Sequence, residues 1–219
     1  MSRCKPLARL EFLSALFRYG EWLREHSTHT HYDTRQALYD SILSMMADKP
    51  FDFLEFGVFK GASILDWSRN ATNQCCRFFG FDTFTGFPEV WHTGIKSVPQ
   101  ALFDVHGEVP CTGDPRVVFV KGLFQETIPC FLKNTALQKN RVFHFDADLY
   151  SSTLFALCTL NGQINRNSIL LFDNFSVATH DFRAFMDWRA SFRRKFSLIA
   201  TAEIDFEKIA IRIDDEPML

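Results

Sequence analysis

The sequence has no long hydrophobic run. No stretch approaches the roughly 18 continuous apolar residues of a membrane-spanning helix, and charges interrupt the first apolar residues too early for a secretory signal. It also has no excess of charge of one sign, with 26 acidic and 24 basic residues. Nucleic acid and membranes are therefore not expected partners. We expect a soluble, cytoplasmic protein with one domain over residues 1–219.

The sequence also lacks a cysteine motif typical of zinc sites and a glycine motif typical of dinucleotide-binding sites. It contains no Cys-x-x-Cys pair, which argues against a zinc site and predicts reduced thiols for its six cysteines, Cys4, Cys75, Cys76, Cys111, Cys130 and Cys158. A Gly-x-Gly-x-x-Gly fingerprint is missing too, because Gly57 and Gly61 are spaced Gly-x-x-x-Gly. This spacing lowers the expectation of a dinucleotide cofactor.

Short apolar runs alternate with helical patterns after Pro50. The alternation predicts an α/β fold with a parallel sheet covered by helices on both faces. The last two runs are separated only by Asp205 and its neighbours, which is too short for a crossover, so they predict an antiparallel hairpin. The result is a Rossmann-like, seven-stranded sheet of five parallel strands and a hairpin, formed by Phe51–Phe56, Arg77–Phe81, Val117–Val120, Val142–Phe145, Ile169–Phe172, Leu198–Ala202 and Lys208–Ile213.

Two segments fall outside this alternation. Residues 1–50 predict a helical extension with helices over Leu7–His26 and Thr34–Ala47, the second capped by Asp33. Its histidines at 26, 29 and 31 lie in a polar connection and are interpreted as surface residues. The segment 83–116 has little periodicity and several prolines and glycines, which predicts a long loop that serves as a substrate lid.

Polar and glycine residues follow the predicted strands at their carboxyl ends. Gly57 lets the backbone approach a ligand at a helix start, although an ordinary tight turn remains an alternative. Asp82 ends the next strand, where a carboxylate accepts bonds from ribose hydroxyls or caps a turn. Asp146, Asp173 and Asn174 end two further strands, so they can converge as oxygen ligands for Mg²⁺, or some of them cap helices.

Five motifs in a fixed order resemble the macrocin-type sugar O-methyltransferases within the class I S-adenosylmethionine-dependent methyltransferases. The resemblance covers about residues 52–213, and a more distant similarity links the chain to catechol O-methyltransferase. The motifs are Glu55-Phe-Gly-Val-Phe-Lys-Gly-Ala-Ser, Gly80-Phe-Asp-Thr-Phe-Thr-Gly-Phe-Pro-Glu-Val-Trp, Gly122-Leu-Phe-Gln-Glu-Thr-Ile-Pro, Asp146-Ala-Asp-Leu-Tyr-Ser-Ser-Thr and His180-Asp-Phe-Arg-Ala-Phe.

The resemblance implies a class I methyltransferase fold and a set of site residues. It implies S-adenosylmethionine as the cofactor, held by Glu55, Gly57, Phe59, Gly61, Ser63, Asp82, Thr83, Phe124, Gln125 and Asp146. It implies a divalent ion, Mg²⁺ or a similar cation, held by Asp146, Asp173 and Asn174. Two positions depart from the relatives. Asn174 stands where macrocin-type enzymes carry Asp and many relatives Glu, which matches catechol O-methyltransferase instead and leaves the metal preference open. Leu149 stands where catechol O-methyltransferase carries its lysine base.

The expected activity is transfer of a methyl group to a hydroxyl of a small molecule, assisted by Mg²⁺. Asp146, Asp148 and His180 are the candidate catalytic residues, although a solvated or capping role for His180 is equally compatible with the sequence. A metal-independent N- or O-methyltransferase and a non-catalytic scaffold that binds the cofactor remain alternatives. The acceptor and the oligomeric state, including a homo-oligomer, stay open.

Overall fold

The helices of the chain lie where the apolar periodicity predicts them. The computed structural model describes residues 5–93, 97–204 and 206–217, so Cys4 and Asp205 lie outside it. The N-cap of the second helix is Thr34, one residue after the expected Asp33, and its side chain accepts a bond from the Ala37 amide. The helices are α1 (Lys5–Glu25), α2 (Arg35–Met46), α3 (Ala62–Asn70), α4 (Phe124–Asn134), α5 (Tyr150–Leu160) and α6 (Asp181–Ser191).

The strands form one large sheet and one small ribbon. They are β1 (Thr30–Tyr32), β2 (Phe51–Phe56), β3 (Arg77–Asp82), β4 (Trp91–His92), β5 (Ser97–Val98), β6 (Val117–Lys121), β7 (Asn140–Phe145), β8 (Ile169–Phe172), β9 (Phe196–Ala202) and β10 (Lys208–Ile213). The large sheet has the order β1-β9-β10-β8-β7-β2-β3-β6, and β4 pairs with β5. Only β10 runs antiparallel to its neighbours among the described strands of the large sheet.

The α/β class and all seven predicted strands are confirmed, but the strand count was wrong. The sheet has eight strands, because Thr30–Tyr32 in the N-terminal extension adds a parallel edge strand to β9. The strand is short, polar and mostly exposed, so it has no hydrophobic alternation that a sequence pattern could detect. The Nδ1 atom of His31 lies 2.9 Å from Oγ1 of Thr201 in β9.

Helices cover both faces of the sheet and bury two apolar clusters. One face packs α1, α4, α5 and α6 against the strands, and the other packs α2 and α3. Helix α1 contributes Tyr19 and Trp22 to the first cluster, whereas Leu10 and Phe17 of the same helix remain 64% and 74% exposed. No helix of the described residues is long and apolar enough to cross a membrane.

The predicted lid, residues 83–116, is a loop with little regular structure. It contains the β4–β5 ribbon and a 3-10 turn over Gln100–Phe103, neither of which the sequence pattern predicted. An isolated bridge between Thr85 and Asp104 closes the base of the loop. Residues 94–96 of the predicted lid lie outside the described part of the chain. The described cysteines, all but Cys4, are free thiols.

Candidate active site

A cavity lies at the carboxyl ends of β2, β3, β6 and β7, where the strand-to-helix loops meet. This edge is where open α/β sheets bind ligands. Loop residues, the start of α2 and the predicted lid line the cavity together. Eight of the ten predicted cofactor residues contribute to its wall: Gly57, Phe59, Ser63, Asp82, Thr83, Phe124, Gln125 and Asp146.

Gly57 allows the loop after β2 to pass close to the end of β7. Its φ is +94°, and an added Cβ would lie 2.1 Å from the carbonyl oxygen of Asp146. Only glycine tolerates this combination of conformation and contact. The loop then reaches Gly61, the N-cap of α3, which lies outside the cavity wall. Gly57 thus fixes the distance between the predicted cofactor loop and Asp146.

The carboxylate of Asp82 binds backbone amides of the loops on either side. One oxygen accepts bonds from the amides of Val58 and Phe59 at 2.7 and 2.8 Å, and the other accepts from Phe84 at 2.7 Å. Because Asp82 also lines the cavity, the ribose contact and the turn-capping role expected from the sequence are compatible with each other. The loop after β2 is held by this carboxylate.

Replacement of Asp82 by Ala should reduce both affinity and stability. The change leaves three amides without their acceptor and removes the predicted ribose contact, so we expect S-adenosylmethionine binding to weaken by about 10- to 100-fold and the free energy of unfolding to fall by about 1–3 kcal/mol. Titration calorimetry and urea unfolding measure the two effects. Asp82→Asn is the matched control, since it keeps one acceptor oxygen. Unchanged affinity in Asp82→Ala would remove Asp82 from the cofactor site.

Glu55, the remaining predicted cofactor residue, lies beneath the cavity and does not line it. It is fully buried, and its Oε1 accepts bonds from the hydroxyl of Ser63 and from Nδ1 of His144 at 3.0 Å. Its Oε2 has no hydrogen-bond partner in the described chain. Glu55 therefore positions Ser63, which does line the cavity, and connects the cofactor loop to β7.

Three acidic residues and an amide meet at the ends of β7 and β8. Asp146 and Asp148 line the cavity, and the Asn174 amide donates a bond of 2.7 Å to Asp148. Burial, followed by the charges of Asp181 and Asp173, raises the pKa of Asp148 to about 8. Burial and the charge of Asp173 also raise the pKa of Asp146 well above its usual range.

Asp173 differs from the other acids because cationic groups surround it. Its Oδ2 lies 2.9 Å from Nζ of Lys208 and 3.6 Å from a guanidinium nitrogen of Arg35, and its Oδ1 lies 3.4 Å from Nε2 of His144. Burial would raise the pKa of Asp173, but His144 and Lys208 hold it well below the usual range. Asp173 is therefore ionised, and the neighbouring cationic side chains compensate its negative charge.

The residues at this edge do not fit a divalent ion in the arrangement that the structure describes. His144, Asp146 and Asp173 offer ligand atoms within 4.8 Å of one another. The two nitrogens of His144 already contact Glu55 and Asp173, and Lys208 binds Asp173. The amide nitrogen of Asn174, the third ligand predicted from the sequence, donates to Asp148. Among the described residues, the side chain of Asp146 forms neither a hydrogen bond nor an ion pair, although a nitrogen of His144 lies within 4.8 Å of it.

His180 lies outside the cavity, and both ring nitrogens have partners. Nδ1 accepts a bond from the Tyr150 amide at 2.9 Å, and Nε2 donates to the carbonyl of His92 at 2.7 Å. Burial lowers the pKa of His180, which keeps the ring neutral. The lone pair that a general base needs is therefore engaged. His180 thus connects the lid to α5, and it lines a second cavity together with Glu89, His92 and Tyr150.

The predicted lid contributes an aromatic wall to the cavity. Phe87 and Phe103 line it, with ring centroids 5.1 Å apart, and Phe59 packs on Phe103 from the cofactor loop. The hydroxyl of Ser151 donates to Glu89 at 2.5 Å and ties the lid to the start of α5. An opening of this loop would expose the cavity.

We expect the lid to close more tightly when ligands bind. Hydrogen exchange of the amides of residues 85–93 and 97–104 should slow several-fold in the presence of S-adenosylhomocysteine, because ligand contacts reduce local opening. Exchange with and without the ligand, followed by mass spectrometry, measures this effect. A Glu89→Gln variant, in which the charged bond to Ser151 is weakened, should exchange faster without ligand. Equal protection in both states would contradict a lid.

The sheet order, with its antiparallel β10, and the cavity at the carboxyl ends of the strands are those of the class I methyltransferase fold. A model of the Macrocin-O-methyltransferase (TylF) family matches residues 33–207 of the chain. The chain therefore belongs to the macrocin O-methyltransferase family, as the resemblance of its motifs predicted. A comparison with curated protein sequences gives no match.

Several solved structures share the fold of this chain. CalS11, a calicheamicin methyltransferase, is 24% identical with a TM-score of 0.62, over 81% of this chain and 77% of that one. The O-methyltransferase NovP is 21% identical with a TM-score of 0.62, over 82% and 79%. An O-methyltransferase from Bacillus cereus in complex with SAH is 13% identical with a TM-score of 0.55, over 92% and 91%. At these identities the likeness establishes the fold.

Sequence reasoning missed the cationic residues of the site. Arg35 reaches the cavity from α2, in a segment that the sequence pattern predicted only as a helical extension. Lys208 begins β10, and His144 lies inside β7. A buried histidine two residues before Asp146 is on the same side of its strand, which is a detectable signal. No sequence signal indicated Lys208, because its contact with Asp173 depends on the register between β8 and β10.

Proposed function

We propose that this protein transfers a methyl group from S-adenosylmethionine to a hydroxyl of a sugar or a similar small natural product. Its membership of the macrocin O-methyltransferase family supports this acceptor class. A solved relative of the same fold, 22% identical with a TM-score of 0.58, is described as a TDP-rhamnose 3'-O-methyltransferase.

The observation that carries the proposal is the position of Asp148 in the cavity. Asp148 lines the same cavity as the predicted cofactor residues Gly57, Ser63 and Asp82. A carboxylate with a pKa of about 8 is well matched to accept a proton near neutral pH, since a general base works best near the operating pH. The φ of Asp148 is +60°, and the Asn174 amide holds its carboxylate.

Each residue has a distinct task in this mechanism. S-adenosylmethionine supplies an electrophilic methyl group on a sulfonium, and the transfer is an in-line displacement. Gly57, Ser63 and Asp82 orient the cofactor within the cavity. Asp148 accepts the proton of the acceptor hydroxyl, and Asn174 keeps the carboxylate directed by its bond of 2.7 Å. The aromatic rings of the lid exclude water from the reacting atoms.

The remaining cavity wall suits a sugar acceptor. Phe87 and Phe103 offer aromatic faces for the C–H faces of a sugar ring. Arg35 and Lys60, which line the same cavity, offer positive charge. A nucleotide sugar carries both a ring and phosphates, so this combination favours it over a purely apolar acceptor.

A labelling screen tests the proposed function. The purified chain is incubated with S-adenosylmethionine carrying a labelled methyl group and a panel of nucleotide sugars, free glycosides, phenols and amines. The proposal expects label on a hydroxyl of a sugar-containing acceptor. Label on an amine would favour the N-methyltransferase alternative. Calorimetric binding of S-adenosylmethionine with no transfer to any member of the panel would favour the non-catalytic scaffold.

A further inference from the structure

Lys208 places a buried positive charge at the predicted metal site of Asp146, Asp173 and Asn174. It begins β10, next to Asp173 at the end of β8, and is only 7% exposed. Its ammonium bonds the Asp173 carboxylate at 2.9 Å and the Asp173 carbonyl at 2.8 Å. Two bonds to one residue fix the ammonium against this carboxylate.

The surroundings keep Lys208 charged and in place. Glu207 and Glu203 lie 3.3 and 3.8 Å from its ammonium on the outer side. The ammonium therefore has acidic partners on two sides. Movement of the ammonium away from this position would leave Asp173 and Glu207 without the cation that they share.

Two further cations share the Asp173 carboxylate. Arg35 approaches the same oxygen as Lys208, at 3.6 Å, and His144 approaches the other, at 3.4 Å. Both ring nitrogens of His144 face carboxylate oxygens, of Glu55 at 3.0 Å and of Asp173 at 3.4 Å, and a ring that donates from both nitrogens is a charged imidazolium. A divalent ion bound to Asp173 would stand beside three like charges, and it would have to displace at least one of them.

The second independent observation is the orientation of Asn174. Its amide nitrogen donates to Asp148 at 2.7 Å, so the side chain serves the candidate base. An amide in place of the acid of macrocin-type relatives also removes one negative charge from the site. The buried ammonium of Lys208, 2.9 Å from the Asp173 carboxylate, further reduces the attraction of this site for a divalent ion.

We propose that Lys208 is the resident cation of this site, so that the chain binds no divalent ion between Asp146, Asp173 and Asn174. It follows that methyl transfer by this protein needs no metal, and this consequence rests on the proposed function. The exclusion of the ion itself does not depend on turnover, so the two parts are tested separately.

The test measures Mn²⁺ binding to the full chain by electron paramagnetic resonance, with S-adenosylhomocysteine present. We expect no stoichiometric Mn²⁺ binding to the wild-type protein. We expect the Lys208→Met variant to bind Mn²⁺ at least about tenfold more tightly, since Asp173 then loses its nearest cationic partner. Lys208→Arg keeps the charge and should bind none. Lys133→Met, which removes an exposed lysine of α4, is the matched control and should behave as the wild type.

Each outcome decides the proposal. One bound Mn²⁺ per wild-type chain would overturn it, and this result needs no variant to fold. Equal failure of wild type and Lys208→Met to bind would overturn the role of Lys208. Lys208→Gln, which retains a hydrogen-bond donor without the charge, repeats the comparison if Lys208→Met does not fold. Once an acceptor is known, unchanged turnover in EDTA is expected, and loss of turnover in EDTA would contradict metal independence.

Discussion

An Asp148→Asn variant should lose methyl transfer by a factor of about 10²–10⁴ and still bind S-adenosylmethionine. The amide has the shape of the protonated acid, so it fits the buried position, but it cannot accept the acceptor's proton. Transfer is measured with a labelled methyl group on an acceptor found by the screen, and affinity by titration calorimetry. Retention of turnover would remove Asp148 as the base and would direct attention to Asp146, which lines the same cavity.

The pH profile separates this role from a structural one. Turnover of the wild type should rise with pH through about 8, because Asp148 acts as a base only when it is ionised and its pKa is about 8. The residual activity of Asp148→Asn should lack this rise. Asp181→Asn is the matched control: Asp181 is fully buried and is not part of the cavity wall. Its charge raises the pKa of Asp148, so the variant should keep turnover and shift the rise to lower pH.

The sequence predicted the sheet because each buried strand leaves a continuous apolar run. Phe51–Phe56 and Ile169–Phe172 are buried along their whole length, and parallel strands covered on both faces require such runs. The missed strand, Thr30–Tyr32, pairs with β9 on one side only and is largely exposed. An exposed edge strand of three polar residues needs no apolar side chains, so its sequence shows no hydrophobic pattern.

The positions of the site residues followed from the sheet, but their partners did not. Parallel strands bring their carboxyl ends to one edge, which is why Gly57, Asp82 and Asp146 share a cavity. Which group binds which acid depends on register between strands distant in sequence. Glu55 lies opposite His144 in the pairing of β2 with β7. No local pattern encodes that alignment.

His180 shows the same limit for a single residue. The sequence places His180 at the start of a helix, from which its side chain was predicted to reach a substrate hydroxyl. The structure confirms the position, since His180 is the N-cap of α6. Its ring, however, bonds Tyr150 and His92 and lies outside the cavity. The position of a side chain relative to a loop of more than 30 residues depends on tertiary packing, which the sequence pattern does not contain.

A His144→Leu variant should lose about 3–5 kcal/mol of unfolding free energy at neutral pH. The charged imidazole lies between Glu55 at 3.0 Å and Asp173 at 3.4 Å, and all three side chains are buried. Leucine has a similar size but leaves Glu55 as a buried carboxylate without its cation. Urea unfolding measures the loss. Tyr39→Phe is the control, since it removes only the hydroxyl 3.3 Å from Nε2 and should cost about 1 kcal/mol.

The pH dependence of this difference identifies the charge as its cause. Burial alone would lower the pKa of His144, but Asp173 and Glu55 raise it from 6.5 to about 10 in the folded chain. The stability that His144 contributes by this shift is fully present below pH 6.5 and is lost as the pH rises through 10. The difference between wild type and His144→Leu should therefore shrink from pH 6.5 toward pH 10. Asp148 and Asp181 titrate in both proteins, so subtraction largely cancels their contributions. A difference that stays constant over this range would show that His144 contributes packing and neutral hydrogen bonds, and that Glu55 and Asp173 are held by other means.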